Sequence, residues 1–312
     1  MRLVRYQLLR LIPILLIVTF VTFALLNLLP GDISLELLGN DATPSAIART
    51  RAELRLDDPL VLRYLRWLGQ ALQGDLGRSF LTGEPVAAAL ARSLPVSIEL
   101  MALSLLFSLS LAVPAGLFAA YRNGQAIDKL LSAIAALLLS APSFMLALIL
   151  MYTLALTLKW LPAVGYVPLT EGVFRNLRSV AIPVLTLAAV EWPVFMRILR
   201  SDAIVTLQQD YVLFARAKGL RSAPILFRHV LRPSSFNLMT VAGMTVATLI
   251  GGALVVETIF ALPGVGRLLV GSINSRDFMM VQGAVALIAV GFVLANFAID
   301  TLYSLLDPRV MQ

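Results

Sequence analysis

The chain contains no cysteine and a single histidine, His229, which excludes disulfides, thiol catalysis and Cys- or His-cluster metal sites. Charge is scarce too. Asp, Glu, Lys and Arg make up 14% of the 312 residues, against about 25% in soluble domains, too little to clothe a large soluble enzyme. The glycines of NLLPGD and LPGVGR lack the spacing that cradles a phosphate, no Walker-type glycine-lysine pattern is present, and no acidic pair stands beside a base. The expectation is a chain that is not an enzyme and holds no cofactor of its own. What fills the sequence is apolar: 59% of residues are hydrophobic, in runs that approach the roughly 20 residues needed to cross a bilayer as a helix.

Six such runs are predicted, at about 9–29, 97–120, 130–157, 180–199, 236–257 and 280–305. None alternates over its length, so helices are expected rather than barrel strands. The N-terminus resembles a signal peptide, with Arg2, Arg5 and Arg10 ahead of an apolar run. That run, Leu11 to Leu29, exceeds a signal core and no small-x-small cleavage site follows, so it reads as a retained first span. The net charge of +7 is distributed around spans, which points to topology rather than nucleic acid. Arg122 and Lys129 between spans two and three, and Arg197, Arg200, Arg216, Lys218, Arg221, Arg228 and Arg232 around the connection between spans four and five, share a side with the N-terminal arginines. That side is expected to be cytoplasmic, with both termini inside. Segment 31–95 carries seven arginines but also eight acidic residues, and connections this long translocate largely regardless of charge.

The same segment, 31–95, is expected to form a helical extracytoplasmic insertion with short helices along the membrane interface. PSAIARTRAELRL and DPLVLRYLRWLGQAL space their apolar residues like helices, with arginine on the other face. Asp57-Asp58-Pro59 is a helix start and Gly74, Gly77 and Gly83 mark turns.

The most informative stretch is YVLFARAKGLRSAPILFRHVLRP, residues 211–233, within a connection at 201–235. Gln208 to Gly219 reads as a short helix kept slim by Ala215 and Ala217, with Gly219 able to take the left-handed turn that ends it. Basic residues alone suit any cytoplasmic connection. The succession of slim helix, glycine and second short helix goes further: it resembles the coupling loop of ABC-importer permeases, specifically the peptide/nickel permease family, most clearly at FARAKGL (214–220) and RHVLRP (228–233). LLPGD (28–32), LDDPLVLRYLRWLGQALQGDLGRS (56–79), LPVSIEL (94–100), PSF (142–144), ETIFALPGVGRLL (257–269) and DTLYSLLDPR (300–309) resemble the same family in the expected order. Two features depart from its pattern. Phe214 and Ala215 stand where a glutamate is usual, and Pro233 follows Arg232 where asparagine is common.

The resemblance implies a type I ABC importer permease fold, in one transmembrane permease domain over 1–312, in a bacterial or archaeal cytoplasmic membrane. It implies a second homologous permease, two cytoplasmic ATPases that bind the ATP, and an extracytoplasmic substrate-binding protein. Tyr211, Ala215, Arg216, Ala217, Lys218, Gly219, Leu220, Arg228, His229 and Arg232 would then form the ATPase-coupling loop. The substrate class implied is peptides, with nickel chelates, glutathione and opine-type metallophores as the alternatives. A self-sufficient secondary transporter and a membrane scaffold are the rival readings. The first would call for inverted repeats, which the sequence does not display.

Ionisable residues inside apolar runs are few: Glu99, Glu191 and Asp300, with Glu257 at a span end. Glu191 and Trp192 sit mid-span and are candidates for lining a translocation path, or for a structural pairing. Pro13, Pro114, Pro142, Pro183 and Pro193 favour kinks within or near spans.

Overall fold

The computed structural model describes residues 2–28, 43–53 and 57–306. Among these the chain is almost entirely helical, and its only β pairing is an isolated bridge between Arg78 and Pro85. The elements are α1 (Arg2–Leu28), α2 (Pro44–Glu53), α3 (Leu60–Ala71), α4 (Val86–Tyr121), α5 (Ala126–Ser140) and α6 (Ser143–Leu150), which continues as a π-helical stretch Met151–Thr157. Then follow α7 (Val173–Leu207), α8 (Asp210–Ala217), α9 (Leu231–Gly252), α10 (Leu254–Ile259), α11 (Val265–Asn274) and α12 (Phe278–Leu306). Beyond Leu28, the LLPGD motif lies outside the described residues, as do residues 307–309 of the terminal motif and the side chain of Asp300.

Among the described residues three helices are long and apolar enough to cross a membrane by themselves: α4, α7 and Phe278–Ala298 of α12. The pair α5 and α6 passes only as one unit, bent by 105°. Within α1 the stretch Ile12–Leu26 is apolar, and α9 occupies the place expected of the fifth span. The third apolar run is therefore broken rather than merely kinked at Pro142. Ala141 is extended (φ −91°, ψ 127°), the conformation that a following proline imposes, and Pro142 then caps α6. By contrast α1, α4 and α7 run as continuous helices through Pro13, Pro114, Pro183 and Pro193.

The most extensive helix pair is α4 with α7. On α4, Ser104, Ser108, Ala112, Gly116 and Ala120 recur every fourth residue and are all buried. Such a stripe lets two backbones approach closely in lipid, where van der Waals contact rather than the hydrophobic effect holds helices together. Phe195, Met196 and Leu199 of α7 fill the space opposite and are fully buried.

At one end of the bundle a cap is tied down by buried polar groups. The Glu257 carboxylate lies beneath the Gly264–Arg267 turn: Ser97 Oγ donates to Oε1 at 2.6 Å and the Arg267 N–H to Oε2 at 3.1 Å, while Val265 N–H donates to Ser97 Oγ at 2.9 Å. The turn fits over the carboxylate only because residue 264 has no side chain; a Cβ there would stand 2.3 Å from it. Gly264→Ala is accordingly expected to destabilise this end by about 1–3 kcal/mol, read as faster proteolysis at 258–279 with the rest of the chain protected. Asp277, also buried, accepts from Ser79 Oγ and from the Phe80 and Met280 N–H groups, fastening the 74–85 turns to the start of α12. Tyr166 donates to Glu99 Oε2 at 2.7 Å. Burial first, and then the bonded carboxylate, push its hydroxyl above the ordinary phenol range.

Candidate docking site at the basic end of the bundle

The opposite end is built around α8. Gln209 is extended at its N-cap, and Asp210 places negative charge in the first turn, where the helix dipole favours it. Val212 and Ala215 are buried against Leu207, Ile225, Leu226 and Val230. The remaining faces turn outward, leaving Tyr211, Leu213, Phe214 and Leu220 exposed at 48%, 49%, 61% and 44%.

The helix ends as its glycine predicts. Gly219 takes φ +79°, its N–H donates to Arg216 O at 2.9 Å, and Leu220 N–H donates to Ala215 O at 3.3 Å. This pair of bonds is the Schellman motif, which satisfies the last carbonyls of a helix and needs the left-handed residue at its centre. Nothing lies within 4 Å of where a Gly219 side chain would begin, so the constraint there is conformational and not steric.

Two cations of the loop rest on aromatic rings. Lys218 Nζ stands 4.6 Å from the Phe214 ring centroid, and the Arg216 guanidinium 5.7 Å from that of Tyr121, within the range where the ring quadrupole attracts a cation. Tyr121 OH and Ser222 Oγ lie 2.7 Å apart, so the last residue of α4 is joined to the loop on both sides of Gly219. Beyond Ser222 the chain makes one helical turn, Ser222–Pro224, then a π-helical stretch, Ile225–Val230, that enters α9 without a break. The second short helix expected from sequence is thus the start of the fifth long helix. Pro233 does not interrupt it; the wider π turn lies immediately upstream, where proline's missing N–H and bulky ring need accommodation. Arg228 and Arg232 are exposed and His229 half-buried.

The loop stands on a buried ion pair absent from the sequence reading. Asp128, in the first turn of α5, is 4% exposed. It receives Arg200 Nε at 2.5 Å and Nη2 at 2.8 Å, and the Gly124 N–H at 2.8 Å. Arg200 Nη2 also donates to Asn123 Oδ1 at 3.0 Å. Ser234 donates to Thr206 Oγ1 at 2.8 Å and ties α9 to α7. Arg200 was visible in sequence only as one more basic residue.

The ten loop positions singled out from sequence fall on α8, its cap, the π-helical entrance to α9 and, for Arg232, the first turn of α9. Nine of them keep solvent contact, and Ala215 faces inward. Glu191 and Trp192 are not part of this patch. They lie on α7 nine and eight residues before Arg200, about 12–13 Å up the helix axis. Glu191 is half-buried and receives Thr245 Oγ1 at 3.5 Å, and among the described residues no ion pair reaches it. Trp192 packs beside the Phe195 core. Among the described residues no cluster of His, Asp or Glu could hold a metal.

Residues 112–312 match the family described as binding-protein-dependent transport system inner membrane component, and residues 1–101 match the family of its N-terminal part. Over 299 residues the chain is 40% identical to a protein of Brucella abortus named as a peptide transport system permease, covering 96% of this chain and 95% of that one. It is 36% identical over 288 residues to a Sinorhizobium fredii protein named as a peptide ABC transporter permease, covering 92% of each. It is also 33% identical over 324 residues to the dipeptide transport system permease protein of Alkalihalophilus pseudofirmus, covering 97% of each.

Proposed function

The chain belongs to the family of binding-protein-dependent transport system inner membrane components, and from that membership we propose that it is one of two permease subunits of a peptide importer driven by ATPases outside this chain. The family is one of transport permeases and not of enzymes, and its members are multi-pass inner-membrane proteins. The peptide substrate is carried over from the relatives' names.

The observation that carries the mechanism is the exposed, Schellman-capped helix α8 with its apolar and cationic faces. A slim helix offering Tyr211, Leu213, Phe214 and Leu220 beside Arg216 and Lys218 suits insertion into a groove on a partner. In this reading the partner is a cytoplasmic ATPase, and the chain crosses the membrane six times with both termini and residues 201–235 in the cytoplasm. ATP-driven closure of two ATPases moves α8. Tyr121 and Ser222 pass the movement to α4, and the buried entrance of α9 passes it to the fifth helix. Two packed arrangements of the bundle then expose the substrate path alternately to each side. The opposite cap, with an open cleft lined by Ser79, Leu81, Glu84, Arg267, Leu268 and Asp277, meets the loaded binding protein.

The deciding experiment is a mild-detergent pull-down from native membranes with mass spectrometry. Recovery of a second permease and P-loop ATPases supports the importer; a chain recovered alone or only with copies of itself sinks it in favour of a self-sufficient transporter. Glu191 is proposed to line the path, since Thr245 is its one hydrogen-bond partner among the described residues. Glu191→Gln is expected to keep the membrane level of the protein and to weaken uptake of an amine-bearing peptide on the order of tenfold, the worth of one charged hydrogen bond. Unchanged uptake kinetics would make Glu191 a structural residue.

A further inference from the structure

Helix α3 has more apolar surface than the bundle covers. Its Leu60, Tyr64, Trp67 and Ala71 pack on α1 and α12: Tyr64 lies edge-on to Phe20 and Phe23 at 5.1 and 5.8 Å, and its hydroxyl donates to Leu16 O at 3.1 Å. Yet Val61, Leu65 and Leu72 remain 56%, 55% and 81% exposed. At about 100° per residue, these three form a bare apolar stripe centred about 100° to one side of the packed face, while Leu68 at its edge still packs against the Tyr64 and Trp67 cluster. Arg63, Arg66 and Gln70 form a polar stripe about 100° to the other side. The two stripes are therefore almost opposite one another along the whole helix. Such a division is meaningless for a helix surrounded by water and useless for one parallel to the membrane normal, where both faces sample the same depths. It suits a helix lying flat at a boundary between oil and water.

The depth agrees. Thr19 Oγ1 lies 2.9 Å from Tyr64 OH, and Gln282 Nε2 donates to Thr19 O at 3.1 Å. The tip of Tyr64 is thus level with the fifth residue of α12, about 6 Å inside the end of that helix. On α1 itself Ile14, Ile17 and Val21 are also uncovered. Arg66 pairs with Asp58 on the other side.

We propose that α3 is an interfacial membrane helix, with Val61, Leu65 and Leu72 inserted among the acyl chains of the extracytoplasmic leaflet and its arginine face toward water. The lipid is its second partner after α1 and α12. The cap is thereby moored to the bilayer beside the bundle and held at fixed height. This rests on the multi-pass membrane reading above and adds to it a specific lipid-binding face.

The absence of cysteine makes the test clean. Leu65→Cys, Leu72→Cys and Gln70→Cys, with Ile17→Cys and Leu137→Cys as controls on long helices, are nitroxide-labelled one at a time in the full complex in phospholipid nanodiscs. Collision rates with oxygen, which partitions into lipid, and with a water-soluble nickel chelate are then compared. The expected result is an oxygen-to-nickel ratio several-fold higher at Leu65 and Leu72 than at Gln70. A nickel-dominated ratio at Leu65 and Leu72 overturns the proposal in favour of a solvated helix. Labels there that are immobile and reached by neither reagent overturn it in favour of a protein partner, and an oxygen-dominated Gln70 overturns the flat orientation. If both control positions also favour nickel, it is the membrane reading itself that fails.

Discussion

Gly219→Ile is expected to abolish most substrate uptake while leaving the protein in the membrane near its normal level. Residue 219 sits at φ +79°, and a β-branched side chain there costs roughly 1–2 kcal/mol or more in backbone strain. No neighbouring atom lies within 4 Å of the new Cβ, so the core is not disturbed. The strain falls on the two bonds that close the motif, Gly219 N–H to Arg216 O and Leu220 N–H to Ala215 O. If they open, the last turn of α8 unwinds, and the cation and aromatic pairs at Lys218 and Arg216 are re-aimed. Because every 1.4 kcal/mol is about a factor of ten in population, the docked geometry should become roughly five- to thirtyfold rarer. The signature is ATP hydrolysis that no longer responds to substrate-loaded binding protein, measured in reconstituted vesicles. Gly219→Asn is the discriminating control, since asparagine tolerates the left-handed region. It should retain most coupling, whereas a bulk effect would impair both variants alike. Normal stimulated uptake by Gly219→Ile would defeat the coupling role of the loop.

What could be read from the sequence divides along a physical line. Apolar runs report where lipid or core must be, and all six runs contain a long helix or helix pair. They do not report where a helix ends in water. The second and fourth runs were placed at 97–120 and 180–199, but α4 begins at Val86 and α7 extends from Val173 to Leu207. Local chemistry is legible where it acts within a few residues, as with Gly219 as a left-handed cap and Asp57-Asp58-Pro59 as the approach to α3, whereas Ala215, read as slimming the helix for a partner, turns into this chain's own core. The break at Pro142 was legible as a proline but not as a 105° turn, because the missing N–H permits the turn and packing sets its angle. The π-helical stretches at Met151–Thr157 and Ile225–Val230 leave no periodic trace in so short a span. Partners distant in the chain were invisible, as with Ser97 and Glu257, 160 residues apart, and Tyr121 and Ser222, 101 apart. ETIFALPGVGRLL could be matched to a family, yet only the structure gives its reason: a carboxylate that needs Gly264 above it.

The Asp128–Arg200 pair carries the second large effect. Asp128→Ala would leave the Arg200 guanidinium, itself about one quarter exposed, with only Asn123 as partner, and would strip the Gly124 N–H of its acceptor. Removing one partner of a buried ion pair typically costs about 3–5 kcal/mol, chiefly because the remaining charge is uncompensated. That exceeds the effect expected at Gly219, and it acts on folding rather than on coupling. The pair joins the start of α5 to α7 just inside the loop, so its loss should free the α4–α5 turn and, through Tyr121, the underside of α8. The expected result is a several-fold fall in membrane level, and a protein that loses its heat resistance in detergent before any assay of transport is meaningful. A double-mutant cycle separates pairing from packing. Removing Arg200 as well, in Asp128→Ala with Arg200→Ala, abolishes the stranded charge and should recover part of the loss. Arg200→Lys should not substitute, because an ammonium cannot reproduce the forked contact to both carboxylate oxygens. Additive losses in the double variant would mean that the two side chains stabilise the bundle separately and that the loop does not stand on their pairing.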